Sequence, residues 1–329
     1  MDEPNYKKLF IRCISAISLL LVAIAVFVIS IDPYQQYRSR STYCGNQRLE
    51  IGGIAKNQDY NAFFTGSSMS MNHYPGQVDS LWGWKTKNFS LMGATYNDYQ
   101  IILPYILSQG KAKNIILNID FFTFARDRSV VDSYLYDDNI WNDYEYIYNY
   151  TSLKNCINIL LHLTEEEGLY HFQSPSGRKY LKEAFDKAMK QNEYEGENYS
   201  FELLKKNFDN SILPILINSS DSIQWFVYYP PYSIGEFIVL DHYGVLENVL
   251  KFKDYMTHRL SNINNLRLYD FQTKTWITNL EQYMDLRHHS HYYNRAIMEA
   301  IHKDSDRVHS HQSSQKEIHS LIEIYRDSI

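Results

Sequence analysis

The sequence predicts an α/β protein. Its body is a three-layer α/β/α sandwich on a central parallel sheet, with a helical insertion and one N-terminal transmembrane helix. Three observations point there. Short apolar runs bounded by turn residues alternate with helical patterns, as βα units require. One such run, NIILNI at 114–119, reads as a central parallel strand covered on both faces. The stretch from Cys13 to Ile31, CISAISLLLVAIAVFVISI, carries no charge at all.

That stretch comes first. At a rise of ~1.5 Å per residue it spans about 28 Å, enough for the hydrocarbon core. Lys7, Lys8 and Arg12 precede it, and Asp32-Pro33 follows. The positive-inside rule puts residues 1–12 in the cytoplasm and the body outside, although Arg38 and Arg40 weaken the contrast. A cleaved signal peptide is the rival. It would have a shorter apolar core and a small-x-small site, which Ser30-Ile31-Asp32 does not provide. The expectation is a single-pass protein of the cytoplasmic or inner membrane, with its body periplasmic or at the cell surface.

Residues 32–57 read as a polar juxtamembrane connector. Five strands follow, at Tyr60–Thr65, Lys85–Phe89, Asn114–Ile119, Ile223–Tyr229 and Leu266–Phe271. Helical patterns lie between or after them, at 97–108, along a long amphipathic stretch at 234–261, and at 292–302. Residues 127–222 interrupt the alternation and read as a helical insertion, with patches at 152–163 and 177–190. Residues 303–329 are polar and contain His309, His311 and His319. They read as a surface helix or a frayed tail, and metal binding there is the weaker reading.

The chain has 329 residues, 44% apolar and 21% charged, with a net charge of -6. That is an ordinary globular balance and carries no mark of a nucleic-acid binder. The 29 Tyr admit sugar stacking, but a compositional bias of the source is the plainer explanation. No CxxC or Cys/His metal pattern appears, and no cofactor is implied. Of the three cysteines only Cys44 and Cys156 lie where a disulfide could form, and spacing leaves their pairing open.

Two motifs carry chemistry. Gly66-Ser67-Ser68 ends the first strand, where open α/β sheets bind ligands. A serine on that turn is exposed, and its own N–H near a helix start can stabilise an oxyanion. Asp285-Leu-Arg-His288 follows the fifth strand. A nucleophilic serine needs a base and a carboxylate to orient it, and an i, i+3 pair can supply both. Each motif alone is common. One after the first strand and one after the last is a stronger signal.

Together with Phe63-Phe64-Thr65, Asn88-Phe89-Ser90-Leu91-Met92-Gly93, Ile119-Asp120-Phe121-Phe122, Tyr229-Pro230-Pro231-Tyr232 and His289, these motifs resemble the SGNH (GDSL-like) hydrolase superfamily. The likeness is to membrane-anchored, extracytoplasmic members with a GSS nucleophile block, linked to surface-polysaccharide or teichoic-acid modification. It covers most of residues 58–301 and implies a flavodoxin-like SGNH hydrolase fold. It also implies Ser68 as nucleophile, His288 as base, Asp285 as its partner, and Gly93 beside Ser68 in the oxyanion hole. The implied activity is transfer or removal of an O-acyl group, with acetyl the expected one, on a cell-envelope or lipid-linked glycan. By analogy the membrane location favours a transferase fed by a multispanning acyl-donor protein.

The superfamily's Gly-x-Asn-Asp block is absent. Asn118-Ile119-Asp120 stands there, with Asn118 and Asp120 expected on one face of the strand. Asn118 could donate to an oxyanion. An ionised Asp120 could not, and its alternative role is to brace the turn. This departure supports a second reading, a catalytically weak scaffold or glycan-binding accessory protein. A third is a purely structural protein with chance motifs. Asp241-His242 is a rival pair within a helical segment, and His289 a rival base. His73 reads as a helix-face histidine. Arg126 and Arg128 could hold an anionic substrate, though solvated surface arginines are the plainer reading.

Overall fold

The computed structural model describes residues 6–41, 43–127, 131–163, 177–192, 194, 199–308 and 315–326, with backbone alone at 177–180. From the N-terminus run α1 (Tyr6–Ile31), α2 (Gln47–Asn57), β1 (Ala62–Thr65), α3 (Ser68–Met71), α4 (Pro75–Trp82), β2 (Thr86–Asn88), α5 (Tyr96–Ser108), β3 (Asn114–Asn118) and α6 (Phe122–Ala125). Before the fourth strand lie α7 (Tyr144–Ile147), α8 (Tyr150–Leu160), α9 (Gly177–Ala188), α10 (Phe201–Asn210) and α11 (Ile212–Asn218). Then come β4 (Gln224–Tyr229), α12 (Ile234–His242), α13 (Leu246–Leu260), β5 (Leu266–Asp270), α14 (Lys274–Ile277), α15 (His291–His302) and α16 (Gln315–Tyr325).

The chain forms two compact units. One comprises residues 1–58 and 131–168, the other 59–130 and 169–329. The insertion between β3 and β4 is therefore shared between them.

The second unit holds the sheet. All five expected strands form, each one or two residues shorter than the apolar run that announced it. Every pairing is parallel, in the order β2-β1-β3-β4-β5. This is the flavodoxin-like winding, whose order reverses between β1 and β3 and leaves a crevice at their carboxyl ends. The three inner strands β1, β3 and β4 are buried on both faces, which is why their sequences are apolar runs and not alternations. On one face Phe64, Ile116, Phe226 and Tyr228 pack with Val78 of α4 and Ile297, Met298 and Ile301 of α15.

Helix limits follow local chemistry. A capping box of Thr95 and Asp98 starts α5. The expected helix over 234–261 is two helices. The chain turns at Gly244, whose φ of +68° suits a residue without a side chain. The polar tail, expected as a surface helix or a frayed end, first extends the sheet edge, with Val308 N–H donating to the Leu268 carbonyl and Asp270 N–H to the Asp306 carbonyl, and then forms the helix α16. That helix buries Ile318, Leu321 and Ile322.

In the first unit α1 is 26 residues long and apolar enough to cross a membrane, with its side chains facing outward along most of its length. Its last carbonyls are capped by the two arginines that blurred the charge asymmetry: Arg40 donates to Ile31 and Arg38 to Ile29. Cations at a helix C-terminus complement its dipole. Asp32 is fully buried just past the helix. Its carboxylate accepts the N–H groups of Gln36, Tyr37 and Arg38, and the Tyr146 hydroxyl at 2.8 Å. Cys44 and Cys156, both in this unit, are unpaired thiols.

Candidate active site

The nucleophile turn follows β1. Gly66 has φ +145°, and a Cβ there would run into the Asn118 side-chain oxygen, so only glycine fits. Ser67 caps α3 through Met69 N–H. Ser68 is the first residue of that short helix and lines a cavity of about 390 Å³. Two asparagines hold the turn. The Asn118 side-chain oxygen accepts from Ser67 N–H and from Ser70 Oγ, both at 2.8 Å. The Asn88 amide donates to the carbonyls of Ser70, Met71 and His73.

The base arrives on a tight loop before α15, not on a helical turn. Met284 N–H donates to His288 carbonyl at 2.9 Å and closes it. Asp285 Oδ1 accepts from the N–H groups of Arg287 (2.8 Å) and His288 (2.7 Å). That leaves Asp285 Oδ2 on His288 Nδ1 at 2.8 Å, and His288 Nε2 lies 2.9 Å from Ser68 Oγ. An ionised carboxylate only accepts, so the imidazole carries its proton on Nδ1 and offers Nε2 to the serine.

The charges follow from this. Burial disfavours the His288 cation, but the Asp285 hydrogen bond and charge outweigh it, and the His288 pKa is raised above 6.5. Burial likewise disfavours the Asp285 anion. The His288 ring and the two backbone N–H groups overcome it and hold the carboxyl at about 2.

Gly93, with φ +57°, lines the same cavity, as does Asp120. Asn118 does not. It is buried beneath the turn, and its amide N–H groups donate to Asp120 (3.1 Å) and Ser67 Oγ (3.4 Å). The expectation of Asn118 as an oxyanion donor is therefore corrected: it shapes the nucleophile turn. Asp120 Oδ1 also accepts from Thr123 N–H and Oγ1, so it braces the turn after β3 while facing the cavity.

The remaining candidates separate clearly. His289 is buried and does not line the cavity. His73 is not on a helix face. It is a core histidine, its Nε2 2.8 Å from Tyr228 Oη. Burial keeps both neutral, with pKa values of about 3. Asp241 pairs with Arg326, and His242 packs on Tyr243. Neither lines the cavity. Arg126 does, while Arg128, His309 and His311 lie outside the described residues. His319 pairs with Glu247 at 3.0 Å.

Residues to which the sequence assigned no role of their own complete the wall. Met69, Met71, Met92, Met284 and Phe122 make it apolar. Arg287 stacks over Phe122 at 3.9 Å and donates to the fully buried Glu236 at 2.9 Å, which also accepts from the Tyr194 hydroxyl. Asn72 also lines the cavity. Methionines at irregular spacing give no sequence signal for a wall shared by three loops.

No protein-family model matches the sequence, and no curated protein matches it. Among solved structures, similarity is found to a Streptococcus pneumonia protein described provisionally as a platelet activating factor. Identity is 12% and the TM-score 0.38, over 78% of this chain and 90% of that one. The C-terminal catalytic domain of Streptococcus pneumoniae peptidoglycan O-acetyltransferase A is similar at 10% identity and TM-score 0.35, over 76% and 97%. A Bacteroides fragilis protein described provisionally as an acylhydrolase is similar at 10% and 0.36, over 74% and 85%. The assignment of the site rests on its own geometry.

Proposed function

We propose that this chain is a membrane-anchored, extracytoplasmic serine enzyme of SGNH type. It transfers or removes a short O-acyl group, which we take to be acetyl, on a cell-envelope polysaccharide. The observation that carries the proposal is the unbroken chain Ser68 Oγ, His288 Nε2, His288 Nδ1, Asp285 Oδ2, with links of 2.9 and 2.8 Å. It sits at the sheet's switch point and opens on a cavity. Its apolar methionine wall suits a short acyl chain.

In the proposed reaction His288 Nε2 takes the Ser68 hydroxyl proton as Oγ bonds to the acyl carbonyl carbon. The tetrahedral oxyanion lies against the Ser68 and Gly93 N–H groups. His288 returns the proton to the departing alcohol as its C–O bond breaks, leaving acyl-Ser68. A sugar hydroxyl or water, deprotonated by His288, then takes the acyl group. The first acceptor makes a transferase and the second an esterase. As a transferase the enzyme would draw its acyl group from a multispanning membrane protein and pass it to a polymer or lipid-linked glycan.

Asp120 favours a second reading. Where a further donor would help an oxyanion, the cavity presents a carboxylate, and loss of one such donor costs about 10²–10³ in rate. A glycan-binding accessory protein would tolerate that.

The test is full-length protein with an active-serine probe and a chromogenic acetyl ester. The proposal expects labelling and turnover that Ser68→Ala and His288→Ala abolish. Equal behaviour of folded wild type and both variants would leave the binding reading.

A further inference from the structure

Helix α8 is inside out for a soluble protein. Its inward face carries Ser152, Asn155, Cys156 and Ile159, while Tyr150, Leu153, Ile157 and Leu160 form the opposite stripe. Their spacing of i, i+3, i+7 and i+10 is that of one continuous helix face. Tyr150, Ile157 and Leu160 are exposed, Leu153 is half-buried, and Leu161 and Leu163 continue the exposed apolar surface. On the turn before α7 Ile140 is exposed and Trp141 is 85% exposed, with Tyr144 and Tyr148 beside them. Soluble surfaces carry isolated apolar side chains, not a run of this kind.

The position of this surface identifies its occupant. Both α7 and α8 pack against α1. The link is tied at the point where α1 ends. Asp32 and Tyr34 N–H bond the Tyr146 hydroxyl of α7, and Asn155 of α8 donates to the Tyr34 hydroxyl at 3.1 Å. Tyr37 donates to Asp143 at 3.0 Å. The apolar surface is thus fixed beside the end of a 26-residue helix apolar enough to cross a membrane. At ~1.5 Å per residue α8 is about 16 Å long, too short to span but suited to lie in the interface. Trp and Tyr concentrate at that depth, and the exposed Lys154 can snorkel outward.

We propose that the Ile140–Leu163 segment is a second membrane contact, lying in the outer interface of the bilayer that α1 crosses. The proposal rests on the reading of α1 as a membrane span. It makes the first unit a two-point attachment that fixes the exit of α1 against tilting and rotation.

Trp141 provides the probe, because the other four tryptophans (Trp82, Trp84, Trp225 and Trp276) belong to the second unit and α1 has none. Full-length protein is reconstituted in phosphatidylcholine vesicles with and without doxyl-labelled phosphatidylcholine. Wild type should lose emission to the quencher, and Trp141→Phe should remove that loss. Tyr150→Trp in the Trp141→Phe background should restore it, which tests α8 itself. Extraction by alkaline carbonate separates the two readings. Protein that leaves the membrane refutes the anchor. Protein that stays, with equal quenching in wild type and Trp141→Phe and none gained by Tyr150→Trp, overturns the second contact and assigns the face to a protein partner.

Discussion

Replacing Asp285 by Asn tests the site more sharply than removing its serine. The carboxylate has two tasks on two oxygens. Oδ1 accepts two backbone N–H groups and shapes the loop, while Oδ2 accepts from His288 Nδ1. An asparagine keeps its oxygen where two donors meet it, and so turns its NH2 toward Nδ1. Two donors cannot face each other, so the imidazole must move its proton to Nε2. That nitrogen, 2.9 Å from Ser68 Oγ, can then no longer accept the serine proton. The expected loss in kcat/KM is about 10⁴, or about 5.4 kcal/mol of barrier, with the fold intact.

A pH profile supplies an independent signature. Activity needs neutral His288, so the wild-type acid limb rises through a pKa held above 6.5 by Asp285. In Asp285→Asn that support is gone, while burial and Arg287 still disfavour the cation, so the limb moves to lower pH. The assay is ester hydrolysis or probe labelling by full-length protein from about pH 4.5 to 9. Wild-type rates in Asp285→Asn, or an acid limb that stays in place, would refute the assigned tautomer and with it the role of the dyad.

Other outcomes follow from the same geometry. Gly66→Ala places a Cβ on the Asn118 side chain at φ +145°, and strain of about 1–3 kcal/mol should lower the unfolding midpoint and abolish labelling. An unchanged midpoint would show that the turn has another conformation. Arg287→Ala takes the guanidinium away from the buried Glu236 carboxylate, at a cost of about 3–5 kcal/mol in chemical denaturation. It also removes a cation near His288, so any residual activity should have its acid limb at higher pH. Asp285, depressed to about 2, contributes stability that is fully present above its unfolded pKa of about 3.9 and lost as pH falls through 2. Acid unfolding of wild type should show that loss between about pH 4 and 2, and Asp285→Asn should not.

The sheet was legible because burial on both faces writes itself into the chain: Asn114–Asn118 and Gln224–Tyr229 each stand as apolar runs. The break at Gly244 was less visible, since apolar residues continue from α12 into α13 and the glycine acts through φ. Residues 32–57 looked like a connector because their polar groups are satisfied at long range. Asp32 meets Tyr146 across 114 positions, and no local pattern encodes that.

The site shows the same limit at finer grain. Spacing after the first and last strands singled out Gly66-Ser67-Ser68 and Asp285-Leu-Arg-His288, since chain topology delivers those loops to one end of the sheet, and the family resemblance then named Ser68 as the nucleophile. Spacing could not divide the work between Asn118 and Asp120. Alternation allowed both to face the cavity, but β3 ends at Asn118, and an asparagine there meets Ser67 N–H and Ser70 Oγ before any substrate. Its oxygen is the acceptor that the glycine turn leaves room for, so Gly66 and Asn118 are one structural device. Asn118→Ala should therefore act mainly on stability, leaving the buried Ser67 N–H unpaired at about 1–3 kcal/mol, while Ser70 Oγ keeps Ser90 Oγ and the Ser67 carbonyl. A lowered midpoint with labelling lost in step fits a turn-forming role. An unchanged midpoint with turnover reduced about 10²–10³ would return Asn118 to the oxyanion hole.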